Sequence, residues 1–193
     1  MTEQELHEAR TNDEFLLYLH EKEETALKEN NLKDLYEVLD SLLILDLDEN
    51  RIHKVYEQIL RSAFDGIEER LKESKKLDIA SDDLYFVRAF YEHAIEKWSY
   101  GNAQGAKELF FILVNIVDDK LISDACSVKM LACDENQDME TFYAKSVDHQ
   151  DKARDERYGY FILDFTFDTQ KYLDNSSEKA KKIYDELSHL LGV

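Results

Sequence analysis

Apolar positions recur along this chain at intervals of three and four. Leu35, Leu39, Leu42 and Leu43 fall at i, i+4, i+7 and i+8, and Ile52, Val55, Tyr56, Ile59, Leu60, Phe64, Ile67 and Leu71 keep the same rhythm over a longer stretch. That spacing aligns side chains along one face of a 3.6-residue helix. Start and stop signals divide the chain into about nine helical segments. Thr11 with Glu14 reads as a capping box opening a helix with Phe15, Leu16, Leu19 and Ala26 on its apolar stripe; Asn30 and Asn31 break it. The Leu35–Leu43 face gives the next helix, Asp46 to Asn50 a turn, and 52–71 a long amphipathic helix ending in the lysines near Lys75.

Ser81 caps a helix running to about Tyr100, Gly101 and Asn102 break it, and a strongly apolar helix follows over 103–117. Shorter helices are expected at 120–132 and 138–151, separated by the polar turn 134–138, and two more at 155–173 and 177–191, the last opened by Asn175 with Glu178 three residues on. Two runs, 110–117 and 158–167, have strand-like composition. Each lies inside a longer segment without strong turn signals, so both are read as buried helix.

Composition reinforces a helical reading. Among 193 residues there is no proline and there are five glycines, whereas all-β and doubly wound α/β folds rely on turns rich in both. A 44% hydrophobic content with 11 Tyr and 10 Phe is enough for a folded core. The expectation is an all-α fold in a single helical domain over 1–193, with acidic N-terminal helices in 1–80 and helix pairs in 81–193.

Charge narrows the partners. The formal net charge is −19, and residues 1–50 alone carry 15 acidic and 4 basic side chains, a net of −11. Such a field repels nucleic-acid phosphates and anionic lipid heads and attracts basic segments. Direct nucleic-acid binding and membrane insertion are not expected. The N-terminus has no apolar signal core and no stretch approaches the ~20 apolar residues of a membrane span. Cys126 and Cys133, seven apart, lie about 10 Å from each other on a helix, too far for a disulfide. Free cysteines point to a reducing, cytoplasmic setting.

A repeat emerges when the helix pairs are aligned on their breaks. Ala94, Trp98, Gly101, Ala106 and Phe110 recur in outline as Asn30, Leu35 and Leu39, and as Asn175, Ala180 and Tyr184; the breaks at 30, 101 and 175 are 71 and 74 residues apart. A small residue five positions after the break suits close helix approach, and an aromatic four further on fills the gap to the neighbour. The 94–113 stretch resembles a tetratricopeptide repeat, whose period is about 34 residues. Leu45, Asp46, Leu47, Asp48, Glu49 and Asn50 are similar to that family's inter-repeat turn, except that Leu47 stands where proline is usual. Within 84–117, the Leu-Tyr start, Ala94, Trp98, Gly101, Ala106 and Phe110 are similar to the first repeat of small tetratricopeptide chaperones of type III secretion translocators. The match covers about thirty residues, and residues 1–80 do not fit it. The resemblance implies a short right-handed solenoid of antiparallel helix hairpins and a concave groove for an extended client segment. Among the aromatic residues, Tyr85, Tyr91 and Tyr160 are the candidate groove residues, because a tyrosine hydroxyl prefers water or a peptide backbone.

Signals of chemistry are thin beside this. Asp46, Asp48, Asn50 and Glu57 occupy four positions of a calcium loop, but Arg51 stands where glycine belongs and Ile52 is one residue early. Glu186 and His189 form one carboxylate–histidine pair where di-iron bundles need two. His93 with Cys126 or Cys133 lacks any recognisable nucleophile context, and no P-loop or dinucleotide loop exists. The expected protein is therefore non-catalytic, without metal or cofactor. It is an adaptor or chaperone for a basic or amphipathic protein segment, with homodimerisation left open. An acidic decoy that mimics DNA, and a helical metal-binding protein, are the alternative readings.

Overall fold

In the computed structural model, residues 2–73, 75–150 and 153–192 are described, and among them the only regular elements are helices. There are ten α-helices, α1 to α10: Glu3–Thr11, Asp13–Glu29, Leu32–Ile44, Glu49–Lys72, Asp83–Ser99, Ala103–Ile116, Lys120–Asp134, Met139–Ser146, Thr169–Asn175 and Ser177–Leu187. No described helix is long and apolar enough to cross a membrane. The chain falls into two compact units that meet within α4, at Gly66 and Ile67.

In the first unit, α1 opens on a capping box: the Glu5 amide donates to Thr2 Oγ1 and the Thr2 amide to Glu5 Oε2. α1 buries no residue, and Arg10 ties it down by donating to the Leu45 carbonyl at 2.6 Å. The expected box at Thr11 is corrected. Thr11 is the last residue of α1 and its hydroxyl donates back to the His7 carbonyl, so Asn12 caps α2 by accepting from the Phe15 amide at 3.0 Å. Asn30 ends α2 in the left-handed region at φ 56°, and Asn31 caps α3, so the Asn-Asn pair is a stop followed by a start. α3 buries Leu32, Leu35, Tyr36, Val38, Leu39 and Leu42, and α4 contributes Val55, Ile59 and Ala63 at four-residue spacing. Glu23, buried on α2, is neutralised by Arg51, whose Nε and Nη2 reach one carboxylate oxygen at 2.9 and 2.6 Å.

The second unit is built on α5, α6 and α7, with α6 packed against both of the others. Gly101 makes the turn between α5 and α6 at φ +77°, a backbone conformation that L side chains rarely adopt. Asn102 then caps α6 through the Gly105 amide. Leu77 crosses Val117 in an isolated parallel bridge that fixes the segment before α5 to the end of α6.

Three expected helices change here. The helix over 138–151 stops at Ser146, because Val147 turns extended (φ −83°, ψ 129°) and bridges Phe165; residues 151 and 152 lie outside the described residues. The helix over 155–173 is overturned. Only a 3-10 turn at Glu156–Tyr158 and α9 are helical, and residues 161–168 run without helix, because Phe161, Leu163 and Phe165 bury alternate positions, a period of two that a helix cannot present. The last helix does not open on Asn175. That residue ends α9, the Ser176 amide still donates back to Tyr172, and α10 starts at Ser177 without a side-chain cap before loosening into a 3-10 turn at Ser188–Leu191.

Candidate partner-binding cavity

A cavity of ≈ 370 Å³ opens beside the N-terminal end of α5, lined by Ile79, Ala80, Ser81, Asp82, Leu84, Tyr85, Asp155, Glu156, Arg157 and Tyr160. Local chain chemistry sets its walls. Ser81 bonds at both ends, its hydroxyl donating to the Asp78 carbonyl and accepting from the Asp83 amide, which fixes the entry to α5. Asp83 is held in turn by Arg70, Nη2 to Oδ1 at 2.7 Å. On the opposite wall Asp155 accepts from the Arg157 amide and from its guanidinium, and these bonds hold the Asp155 carboxyl below its ordinary range. Tyr158 donates to Asp119 Oδ2 at 2.8 Å, anchoring the wall to the start of α7. Tyr160 lies with its ring 4.2 Å from the guanidinium carbon of Arg88, a buried side chain that also donates to Glu92.

Two of the three tyrosines singled out in the sequence, Tyr85 and Tyr160, therefore share one cavity with three carboxylates at its edge. Tyr91 does not join them. It is 3% exposed, its ring meets Phe161 and Phe110 edge-on, and its hydroxyl accepts the Ile162 amide at 2.9 Å. Burial pushes the Tyr91 phenol well above its ordinary value, so it stays neutral.

The residues chosen for repeat packing divide similarly. Ala94, Ala106 and Phe110 are fully buried, and Trp98 is buried with its indole N–H donating to the Gln137 carbonyl at 2.8 Å. Trp98 meets Phe110 and Phe142 at 6.2 and 5.0 Å between ring centres. Ala180 is only half-buried and Tyr184 is 47% exposed, with one contact to the Phe111 ring at 5.8 Å.

The residues with candidate chemistry are engaged in structural bonds. Asp48 accepts the Asn50 amide at the head of α4, and Arg51 is committed to Glu23. Glu186 accepts from Lys107, while His189 Nδ1 lies 3.0 Å from the Glu186 carbonyl. No group of three or more His, Cys, Asp or Glu converges among the described residues. His93 pairs with Glu96 on its own helix. Cys126 and Cys133 are buried, and burial pushes both thiols up to about 12, far from nucleophilic thiolate at neutral pH.

One group escaped the sequence reading. Lys129 is 0% exposed, and its ammonium donates to the Ala125 and Ile162 carbonyls at 3.2 and 2.6 Å. It lies 5.4 and 5.0 Å from the centres of the Tyr91 and Phe165 rings. Burial pushes its pKa down to about 8. The signal was present: Lys129 interrupts an otherwise apolar run from Val128 to Cys133. Compared with known proteins, the chain matches no family model, and neither a curated protein nor a solved structure matches it.

Proposed function

We propose that the protein is a non-catalytic, cytoplasmic adaptor or chaperone that takes a basic or amphipathic segment of a protein partner into the cavity between Tyr85 and Tyr160. The carrying observation is their juxtaposition with Asp82, Asp155 and Glu156 around one opening. Tyrosine offers apolar surface with a polar tip, and the carboxylates favour lysine or arginine over acidic side chains. In this reading α5 to α7 belong to a short tetratricopeptide-like solenoid of antiparallel hairpins. The left-handed turn at Gly101 and the buried Ala94, Ala106, Trp98 and Phe110 support that architecture.

The test is capture of partners from the protein's own lysate by the immobilised full chain, repeated with Tyr85→Ala/Tyr160→Ala. The reading expects specific partners that survive moderate salt and are lost in the double variant. A blank capture, or partners indifferent to the substitutions, overturns it. A DNA-mimic inhibitor is the second reading, favoured by the exposed acids of α1 and α2. It expects binding that collapses with salt and does not involve Tyr85 or Tyr160.

A further inference from the structure

Residues 161–165 are held in the way a groove holds a peptide. Phe161, Leu163 and Phe165 are buried at 8%, 6% and 7% exposure, while Ile162 and Asp164 between them are half-exposed and Thr166 is exposed. A two-residue period of burial is the signature of an extended chain laid on a surface. Its backbone is gripped at one residue by side chains from two helices: the Ile162 N–H donates to Tyr91 of α5, and its carbonyl accepts from Lys129 of α7. Further along it pairs by backbone with the end of α8, Asp148 N–H to the Asp164 carbonyl at 3.0 Å and Thr166 N–H to the Ser146 carbonyl at 2.9 Å. The aromatic anchors have separate seats, Phe161 against Tyr91 at 5.1 Å and Phe165 against Phe142 at 6.1 Å.

We propose that the α5–α7–α8 face is a binding groove for an extended partner segment with bulky apolar side chains at alternate positions, and that residues 161–165 fill it in cis as a displaceable plug. Tyr91 and Lys129 recognise a peptide N–H and a carbonyl, which any chain supplies, so selectivity rests on the spacing of the three anchors. Loss of the plug without a replacement would expose the apolar seats of Phe161, Leu163 and Phe165 to water. The groove is therefore exchanged between occupants and not left empty. The same plug continues back to Tyr160 in the wall of the tyrosine cavity, so displacement would also reshape that cavity. The inference rests on the partner-binding reading but uses different residues.

A labelled peptide with the sequence of residues 159–168 is titrated by anisotropy into the full chain and into a Phe161→Ser/Phe165→Ser variant. The variant should bind it about tenfold or more tightly than wild type, because a groove occupied in cis lowers apparent affinity by the fraction left competent. Adding Tyr91→Phe, which deletes only the accepting hydroxyl, should weaken that binding again. A variant that keeps its helical circular dichroism yet binds no better than wild type overturns the proposal. Hydrogen exchange on the unmodified protein gives an answer that needs no variant. The Ile162 and Thr166 amides should exchange through a local opening about tenfold or more faster than those of Leu113 and Val128. Equal protection of all four overturns the proposal. Tyr85→Ala/Tyr160→Ala in the partner capture reports on the cavity, and Tyr91→Phe in the peptide titration reports on the groove, so failure of the cavity reading and failure of the plug are distinguishable.

Discussion

Residues 110–117 and 158–167 are both crowded with aromatic and branched side chains, yet the first completes helix α6 and the second, after a 3-10 turn that ends at Tyr158, runs without helix from Phe161. Their burial patterns differ. In α6 the buried positions are Ala106, Lys107, Leu109, Phe110, Phe111, Leu113 and Ile116, a set that recurs at intervals of three and four and not two by two, and the lone polar residue of the run, Asn115, donates to the Phe111 carbonyl one turn back. In the plug, burial alternates through Phe161, Leu163 and Phe165, with Asp164 and Thr166 between and beyond them. Start signals differ as well. α6 has Asn102 capping Gly105, whereas the Asp155 cap serves only a 3-10 turn that closes at Gly159. Apolar richness does not choose between helix and extended chain; the interval between polar interruptions and the presence of a cap do.

The largest expected contrast comes from truncating the two regions in parallel. Phe110→Ala removes a fully buried ring touching Tyr91 and Trp98 and should cost about 3–5 kcal/mol in urea unfolding. Phe161→Ala, at the edge of the plug, should cost less, at or below the lower end of that range. Equal losses would mean that the plug is core in the same sense as α6.

Next in size is the buried ammonium. Lys129 has its pKa pushed down to about 8 in the folded protein from an ordinary 10.5. The unfolded state therefore binds more protons between those values, and this group's contribution to stability rises with pH through that window. Cys126 and Cys133 oppose it. Their thiols are pushed up to about 12 from 9, so the unfolded state loses protons first and stability falls as pH rises above about 9. Comparison with Lys129→Met isolates the lysine. The stability of wild type relative to the variant should grow by roughly 3 kcal/mol across the window, measured by urea unfolding at a series of pH values. A constant difference would show that Lys129 is not desolvated as described.

Caps give a smaller effect. Asn102→Ala frees the Gly105 amide and should cost about 1 kcal/mol, read as a lower thermal midpoint, while Ser176→Ala should change little because Ser176 makes no cap bond. Smallest of all is the flank of the plug. Arg154 pairs with Asp164 through both terminal nitrogens at a partly exposed site. Arg154→Ala should cost about 0–1 kcal/mol and fade with added salt.

Much of the helical skeleton was legible from spacing alone. Leu35, Leu39 and Leu42 lie in the first unit's core as their interval predicts, whereas Leu43, read on the same face, is exposed; the Asn30–Asn31 pair divides α2 from α3, and 103–117 is helix almost to the residue. Thr11 misled because threonine in the last turn of a helix bonds backward as readily as it caps forward. The plug misled because only its alternate positions contact the core, a fact of tertiary packing that local composition does not carry. Tyr85 and Tyr160 were chosen as tyrosines apt to face water, and they meet in one cavity although 75 residues separate them. Tyr91, chosen on the same ground, satisfies its hydroxyl on a backbone amide inside the fold.

The most direct test of the partner-binding account is a titration of isotopically labelled full chain with a short lysine- and leucine-bearing peptide, followed by amide chemical shifts. The account predicts shifts concentrated at Leu84, Tyr85 and residues 155–160, persisting in moderate salt. Shifts confined to the acids of α1 and α2, or none at all, would contradict it.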